Sequence, residues 1–208
     1  MKESDYAIAP NCIYICISLV LIAIIWAVVV YLPEAKNIDH TVNGFIKGAL
    51  SAFPIVIPQF VSEFGGANYW LWPRITAVAV MVSHKYYIRA FLFLIITRVV
   101  CFFNNDLIKN FVCRERPCGE ALPGYSFPSG HSSMSMCFFG ILIYLVHRYV
   151  RTDWWRILLI TIFSLYIILI GISRIWLNAH YLTDVLAGYL VGYIFVNFYI
   201  ILDKFFSK

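Results

Sequence analysis

Three short polar stretches interrupt an otherwise apolar chain of 208 residues, and together they contain side chains able to bind and transfer a phosphate. They cover residues 109–117, 128–131 and 173–184. The candidate functional residues in them are Lys109, Arg116, Ser129, Gly130, His131, Arg174, His180 and Asp184. A nucleophile, an acid and several positive charges that act on one phosphorus are the usual components of phosphoryl transfer.

Three of these residues are cations. In phosphoryl transfer the charge spreads over the equatorial oxygens, and fixed positive charges stabilise it. The guanidinium groups of Arg116 and Arg174 match two phosphate oxygens at once, while Lys109 adds a compact point charge. A single arginine of this kind would more simply be an interfacial residue at a membrane surface. Because other polar residues accompany these cations in the same three stretches, phosphate binding is the favoured interpretation.

Ser129, Gly130 and His131 follow a proline and have the character of a turn that leads into a helix. The first N–H groups of a helix lack internal partners and bind anions well. Gly130 lets the backbone approach a phosphate closely. His131 would stand at the helix entrance, where it could give a proton to a departing oxygen. The alternative for His131 is a helix-capping or interfacial role.

His180 and Asp184 are four residues apart and share a face if a helix has begun by His180. A carboxylate in that position accepts from one ring nitrogen, fixes the tautomer and leaves the other nitrogen free to attack. The pair is weak evidence by itself, because this spacing arises often by chance.

The three stretches resemble the signature motifs of the type-2 phosphatidic acid phosphatase superfamily: Lys-x6-Arg-Pro, Pro-Ser-Gly-His and Ser-Arg-x5-His-x3-Asp, in that order. The resemblance implies that His180 attacks phosphorus and forms a phosphohistidine, with Asp184 orienting it. His131 would protonate the leaving group. The three cations, Ser129 and the Gly130 N–H would hold the phosphoryl oxygens.

The resemblance also implies that no metal and no cofactor take part. The residues agree, because the cluster lacks the several carboxylates that a two-metal phosphatase would need. Membrane members of the superfamily act on lipid phosphates, and we expect undecaprenyl pyrophosphate, phosphatidylglycerophosphate or phosphatidic acid. Alternatives are a lipid A phosphatase, a lipid phosphotransferase with the same site, or a carrier that only holds phosphate.

The amino-acid composition indicates whether water or lipid surrounds the helices that position these residues. The chain is 62% apolar and 13% charged, with a mean hydropathy of +0.79. Soluble domains have about a quarter charged residues, so much of this surface must face lipid. Hydropathy therefore argues against the superfamily's soluble phosphatases and haloperoxidases. We attribute the net charge of +5 to membrane orientation and an anionic substrate, and not to nucleic acid.

Six apolar blocks have the length of a membrane-spanning helix, which is about 20 residues. The predicted spans are residues 12–32, 64–83, 87–108, 132–150, 155–172 and 181–201. The second and third are the least secure, since each carries an arginine. We predict an all-α polytopic bundle in one domain, residues 1–208. Residues 33–63 form either an amphipathic helix on the outer surface or an ordinary connecting loop.

Basic residues outside the spans predict the orientation. With a cytoplasmic N-terminus, the inner segments contain Lys2, Lys85, Arg89, Arg148, Arg151, Arg156, Lys204 and Lys208, and the outer segments contain Lys36, Lys47, Lys109, Arg114, Arg116 and Arg174. The inner excess is small, but the outer set is concentrated where phosphate chemistry needs it. The positive-inside rule then predicts both termini in the cytoplasm and an outward-facing site. The chain has no Asn-x-Ser/Thr sequon and its loops are short, which favours a bacterial inner membrane.

Two further features stay open from the sequence. Cys113 and Cys118 flank Arg116 in the predicted outer loop, and they are either a disulfide that braces the loop or two free thiols. The expected partners are a lipid phosphate and the surrounding membrane lipids. A monomer is compatible with the chain, which does not decide the oligomeric state.

Overall fold

A computed structural model describes residues 3–63 and 71–206, apart from the side chains of residues 3–8, 33, 104–106 and 120. Every regular element in these ranges is helical. The α-helices are α1 Glu3–Tyr31, α2 Pro33–Ala49, α3 Val56–Glu63, α4 Leu71–Ser83, α5 Tyr87–Phe102, α6 Lys109–Val112, α7 Gly130–Tyr149, α8 Asp153–Trp176 and α9 Leu182–Phe206. A π-helical segment, Phe103–Ile108, joins α5 to α6, and Gly119–Ala121 is a 3-10 turn.

Four of the described helices are long and apolar enough to cross a membrane: Ala9–Tyr31 within α1, and the whole of α7, α8 and α9. In α1 only 6% of the apolar window is buried inside the protein, so its side chains require a lipid surround. The predicted all-α membrane bundle is confirmed. α4 is shorter, and the start of its predicted span, residues 64–70, lies outside the described residues. The count of six spans therefore stays a prediction.

The predicted third span, residues 87–108, corresponds to one continuous helical run, because α5 passes into the π segment without a break. The helix that contains the predicted fifth span, residues 155–172, is longer than that span. α8 continues to Trp176, and the hydroxyl of Ser173 donates to the carbonyl of Ile170 at 2.7 Å, which satisfies a polar group inside the helix. Arg174 therefore lies in the last turn of α8 and not in the following loop.

The helices that contain the first and last predicted spans also extend beyond them. α9 extends beyond residue 201 to Phe206, because its buried Asp203 is neutralised by Arg89 at 2.7 Å. α1 begins well before residue 12, since the more polar residues ahead of the apolar block continue the same helix.

Residues 33–63 are mainly helical, so the helix alternative is the correct one and the loop alternative is wrong. α2 is amphipathic with its polar face turned inward: Asp39 and Asn43 are buried, while Ile38 and Phe45 are 62% and 73% exposed. This arrangement suits a helix at a membrane surface, whose apolar side meets lipid while its polar side covers a polar site.

The close packing of α7 against α9 fixes the two motifs that begin these helices. A Cβ atom on Gly188 would lie 2.6 Å from the carbonyl oxygen of Ser129, and one on Gly192 would lie 2.7 Å from Cβ of Met136. Only glycine permits the two backbones to approach this closely. The start of α7 is thereby held against the start of α9.

The helices alternate in direction and bring the predicted motifs to one end of the bundle. α7 and α9 begin there, and α6 and α8 end there. The other end contains both outermost helical termini, where Asn11 of α1 bonds to Asn197 of α9 at 2.8 Å and accepts from Lys204 at 3.0 Å. The predicted motif residues therefore lie at the end of the bundle opposite the outermost helical termini.

Candidate active site

His180 lies in the turn between α8 and α9 and is only 1% exposed. Its backbone is held from two sides. Its N–H donates to the carbonyl oxygen of Arg174 at 3.2 Å, and its own carbonyl oxygen accepts from the side-chain amide of Asn43 at 3.1 Å. α8 and α2 therefore fix the position from which the imidazole projects.

The neighbours of the imidazole determine its tautomer. Arg116 Nη1 lies 3.2 Å from His180 Nε2. A guanidinium can only donate, so Nε2 must accept and the proton must be on Nδ1. Nδ1 faces Asp184 Oδ2 at 3.6 Å, which is longer than a hydrogen bond, and no other acceptor among the described residues is in reach. The ring thus presents an unprotonated Nε2, as the sequence predicts for a nucleophile.

Asp184 meets His180 by a different route from the one expected. A shared helical face required the helix to begin by His180, but α9 begins at Leu182. Asp184 is the third residue of α9 and its Oδ2 accepts from the N–H of Tyr181 at 2.9 Å. A carboxylate that reaches back to the N-cap N–H forms half of a capping box. This cap fixes the carboxylate beside the imidazole.

The two arginines of the motifs are held by neutral oxygens. Arg116 Nη1 donates to the carbonyl of Ala179 and its Nε to the carbonyl of Gly124, both at 3.0 Å. Arg174 donates to the hydroxyl of Ser62 in α3. Their positive charges are positioned without being cancelled, which leaves them available to an anion.

Burial and mutual repulsion perturb these groups. Burial, followed by the positive charges of Arg116 and Arg174, lowers the pKa of Lys109 to about 8. Burial also lowers the pKa of Arg116. For His180, burial outweighs the opposing effect of Asp184 and, with Arg174 and Arg116, lowers the pKa to about 4. The imidazole is therefore neutral at physiological pH, in the state needed for attack.

Ser129 is the N-cap of α7, and its hydroxyl oxygen accepts from the N–H of Ser132 at 3.4 Å and from the Ser132 hydroxyl at 3.0 Å. Its own hydrogen remains available for a phosphate oxygen. As the first residue of α7, Gly130 has an N–H without an intrahelical acceptor. His131 follows, within electrostatic reach of the three cations and of His180. All eight predicted residues are thus at one end of the bundle.

Sequence reasoning missed a group of residues that supports Asp184. Arg114 Nη1 donates to Asp184 Oδ1 at 2.5 Å, and its Nη2 donates to Asp39 Oδ2 at 2.6 Å. The hydroxyl of Thr183 also donates to Asp39 Oδ2 at 2.5 Å. Asp39 and Asn43 are four apart in α2, but nothing local connects them with a motif more than 60 residues away.

Cys113 and Cys118 are free thiols, so the disulfide alternative is not realised. The loop that carries Arg116 is braced instead by Ser126. Its N–H donates to the carbonyl of Arg114 at 2.8 Å, and its hydroxyl donates to the carbonyl of Glu115 at 2.9 Å. Backbone hydrogen bonds therefore perform the bracing that a disulfide would have supplied.

An apolar groove of about 610 Å³ reaches the same end of the bundle. It lies between α1, the π segment and α9, and its walls include Trp26, Phe103 and Phe195. Ile108 and Phe127 also line it, and these residues directly precede Lys109 and Pro128 in the chain. The wall of the groove therefore includes residues that adjoin two of the three motifs in the chain.

Among the described residues, no three side chains of His, Cys, Asp or Glu are grouped as they would be around a metal ion. The geometry instead places a neutral imidazole, a second histidine and three cations around one position. The sequence profile of the PAP2 superfamily matches residues 58–207, which is most of the chain. The chain belongs to the PAP2 superfamily. All three polar stretches lie inside the matched region.

Individual relatives match over shorter stretches. The chain is 32% identical over 92 residues, or 42% of its length, to "Phosphatidylglycerophosphatase B" of Bacillus subtilis (strain 168). It is 41% identical over 68 residues, or 32% of its length, to "Bacitracin transport permease protein BcrC" of Bacillus licheniformis. The aligned stretches span 45% and 28% of those two relatives.

The fold has a solved counterpart. The structure of this chain is similar, with a TM-score of 0.78 and 22% identity, to the crystal structure of a transmembrane PAP2-type phosphatidylglycerolphosphate phosphatase from Bacillus subtilis. The match covers 91% of this chain and 96% of that one. The chain is therefore a multi-pass membrane protein with the PAP2 fold.

Proposed function

We propose that this protein is a membrane lipid phosphatase that removes phosphate through a phosphohistidine on His180, without a metal ion. The observation that carries the proposal is the state of the imidazole. Arg116 donates to Nε2, so this nitrogen is unprotonated, while Nδ1–H faces Asp184. A binding protein would need the cations but not a histidine held in its nucleophilic tautomer.

In the first step the phosphate binds among Lys109, Arg116 and Arg174, and a phosphoryl oxygen replaces His180 Nε2 as the acceptor for Arg116. The freed Nε2 attacks phosphorus, and a P–N bond forms as the P–O bond to the leaving group breaks. The negative charge of the bound phosphate favours the protonated form of His131, which then gives its proton to the departing oxygen. The imidazole is then cationic, and Asp184 stabilises the positive charge next to Nδ1.

In the second step water attacks the phosphohistidine. His131, now neutral, takes a proton from the water, so that the attacking oxygen develops negative charge. The P–N bond breaks, its electron pair returns to Nε2, and inorganic phosphate leaves. The cations, the Ser129 hydroxyl and the Gly130 N–H hold the equatorial oxygens in both steps.

The apolar groove supports a lipid as the substrate. Its lining is apolar and includes Ile108 and Phe127, which directly precede Lys109 and Pro128 in the chain. A lipid headgroup could bind the cations while its tail lies in the groove. The substrate class is a phosphate monoester or diphosphate of a lipid, and the name of the first relative makes phosphatidylglycerophosphate the first lipid to assay.

The distribution of basic residues supports an outward-facing site in a bacterial inner membrane. Lys85, Arg89, Arg148 and Lys204 lie at the end that also contains both outermost helical termini. Positive charge is enriched on the cytoplasmic side of membrane proteins. We therefore place the site at the periplasmic or outer face.

The test is an assay of purified protein in detergent with a panel of lipid phosphates, in EDTA. We expect phosphate release from phosphatidylglycerophosphate, undecaprenyl pyrophosphate or phosphatidic acid. His180→Ala should abolish release and also the acid-labile, alkali-stable phosphate on the protein. The matched control is His147→Ala, an exposed histidine near the far end of α7, which should retain wild-type activity. Undiminished turnover of His180→Ala would refute the proposal.

A further inference from the structure

α2 lies outside the region that matches the family, which begins at residue 58. It nevertheless supplies two buried polar side chains to the site. Asn43 donates to the carbonyl oxygen of His180 at 3.1 Å, and Asp39 binds Arg114 and Thr183. The helix is thus in direct contact with the nucleophile's backbone and, through one residue, with the carboxylate that faces its ring.

The Asp39–Arg114–Asp184 chain is buried along its whole length. The side chains are 1%, 11% and 0% exposed. The guanidinium contacts Asp39 through Nη2 at 2.6 Å and Asp184 through Nη1 at 2.5 Å, and its carbon lies 4.1 Å from the ring centroid of Tyr181. Charge interactions at such burial are weakly screened by solvent and salt.

The charges in this chain determine what Asp184 can offer to His180. If Arg114 paired with Asp184 alone, the two charges would cancel and little negative potential would reach Nδ1–H. Because Asp39 shares the guanidinium, two carboxylates face one cation and a negative charge remains beside the imidazole. That charge is needed when phosphorylation of Nε2 makes the ring positive.

We propose that Asp39 is a positioning residue for phosphoryl transfer, which acts through Arg114 to orient Asp184 and to preserve its negative charge next to His180. This inference rests on the proposed phosphohistidine mechanism. It extends the catalytic unit beyond the three motifs to a helix on the surface of the bundle. It predicts an effect on the rate of the chemical step and not on substrate affinity.

A purely structural role must be distinguished from this one. Asp39 Oδ1 also accepts from the backbone N–H of Thr183 at 3.2 Å, in the first turn of α9, so it helps to cap that helix. Asp39→Asn retains an oxygen for this N–H but removes the charge. Asp39→Glu retains the charge. Comparing the two variants separates capping from charge.

The experiment measures kcat, KM and the thermal midpoint of each monodisperse variant in detergent. Asp39→Asn should lower kcat about tenfold and leave KM within about threefold, as expected for an outer partner of a reacting group. Asp39→Glu should recover most of the lost kcat. Thr41→Val, on the exposed side of the same helix, is the matched control and should behave as the wild type.

The double variant gives the sharpest result. Arg114→Gln leaves two buried carboxylates without their shared cation, which is a severe defect, and kcat should fall by about a hundredfold or more. Adding Asp39→Asn removes the surplus carboxylate, so Asp39→Asn/Arg114→Gln should be about tenfold faster than Arg114→Gln alone. If Asp39 had only a structural role, kcat of the double variant should be lower than that of Arg114→Gln alone.

Two results would overturn the inference: wild-type kcat in Asp39→Asn, or a double variant no faster than Arg114→Gln. Wild-type kcat in Asp39→Asn would assign Asp39 to capping, whereas a loss in Asp39→Asn that Asp39→Glu does not recover would show that the charge is not what Asp39 supplies and would also overturn the inference. Failure of the underlying mechanism would be seen separately, as activity in His180→Ala. The inference and the proposed function can therefore fail independently.

Discussion

The two polar ends of this membrane bundle use similar residues in opposite ways. At the end with the helical termini, Asp203 of α9 is shared by Arg89 at 2.7 Å and Arg148 at 3.4 Å, and it accepts from the Tyr144 hydroxyl at 2.8 Å. The guanidinium of Arg89 also lies 4.9 Å from the ring centroid of Tyr86. The two arginines of this cluster therefore share a counter-ion within the protein, and we call this the neutralised end.

At the other end, the three motif cations are left uncompensated. In the ranges that the structure describes, Lys109, Arg116 and Arg174 form no ion pair, and the two arginines donate to carbonyl and hydroxyl oxygens instead. Buried positive charges without counter-ions are costly. We infer that the neutralised cluster stabilises the fold, whereas the uncompensated cluster would bind the anionic substrate of the proposed function.

The largest effect is expected from removing one of the uncompensated cations. Arg174→Gln should lower kcat/KM by about 10³-fold, because it removes a preorganised charge from the transferring phosphoryl group. Arg148→Gln makes the same chemical change at the neutralised end and should alter kcat/KM by less than about twofold. Steady-state assays of both variants on one lipid phosphate make the measurement. Equal losses in the two variants would contradict the assignment of the ends.

The converse experiment tests stability. Asp203→Asn removes the counter-charge of two arginines and should destabilise the fold by about 2 kcal/mol, less than for a fully buried pair because Arg148 is 36% exposed. The thermal midpoint in detergent should fall by about 5 °C. Turnover per folded molecule should stay near that of the wild type. A loss of turnover without a change in the midpoint would show that this end contributes to catalysis.

The sequence was sufficient to group the candidate residues but not to show how they are held. The motif residues and the span-length helices are local features, because spacing and hydropathy encode them directly. The capping role of Asp184 depends on α9 beginning at Leu182, two residues after His180, and span boundaries read from hydropathy are not that accurate.

The support around Asp184 was hidden for a different reason. Asp39 and Arg114 are 75 residues apart, and their contact depends on the packing of α2 over the ends of α8 and α9. The two alternatives for residues 33–63, helix or loop, both left Asp39 without a partner. The role of a buried carboxylate on the polar face of an amphipathic helix can be assigned only when the surface that the helix packs against is known.

The smallest effect is expected in the pH dependence of kcat/KM. Burial and the charges of Arg116 and Arg174 lower the pKa of Lys109 to about 8, so its cation is present below that pH and lost above it. Because kcat/KM reports the free enzyme, the loss of this cation should add to its decline above about pH 8; the deprotonation of His131 also lowers kcat/KM, equally in the wild type and in a Lys109 variant. Lys109→Arg keeps its charge at higher pH and should move this alkaline limb upward by about one unit or more.

The acid side provides the internal reference for this profile. The pKa of His180 is lowered to about 4, so the imidazole stays neutral, and able to attack, down to about that pH in both proteins. The ionisation of the substrate phosphate is also the same in both, so only the difference between the two alkaline limbs reports on Lys109. Coincident alkaline limbs would mean that Lys109 keeps its proton throughout. The cationic cluster would then be less strained than its burial implies, and more like the neutralised end of the bundle.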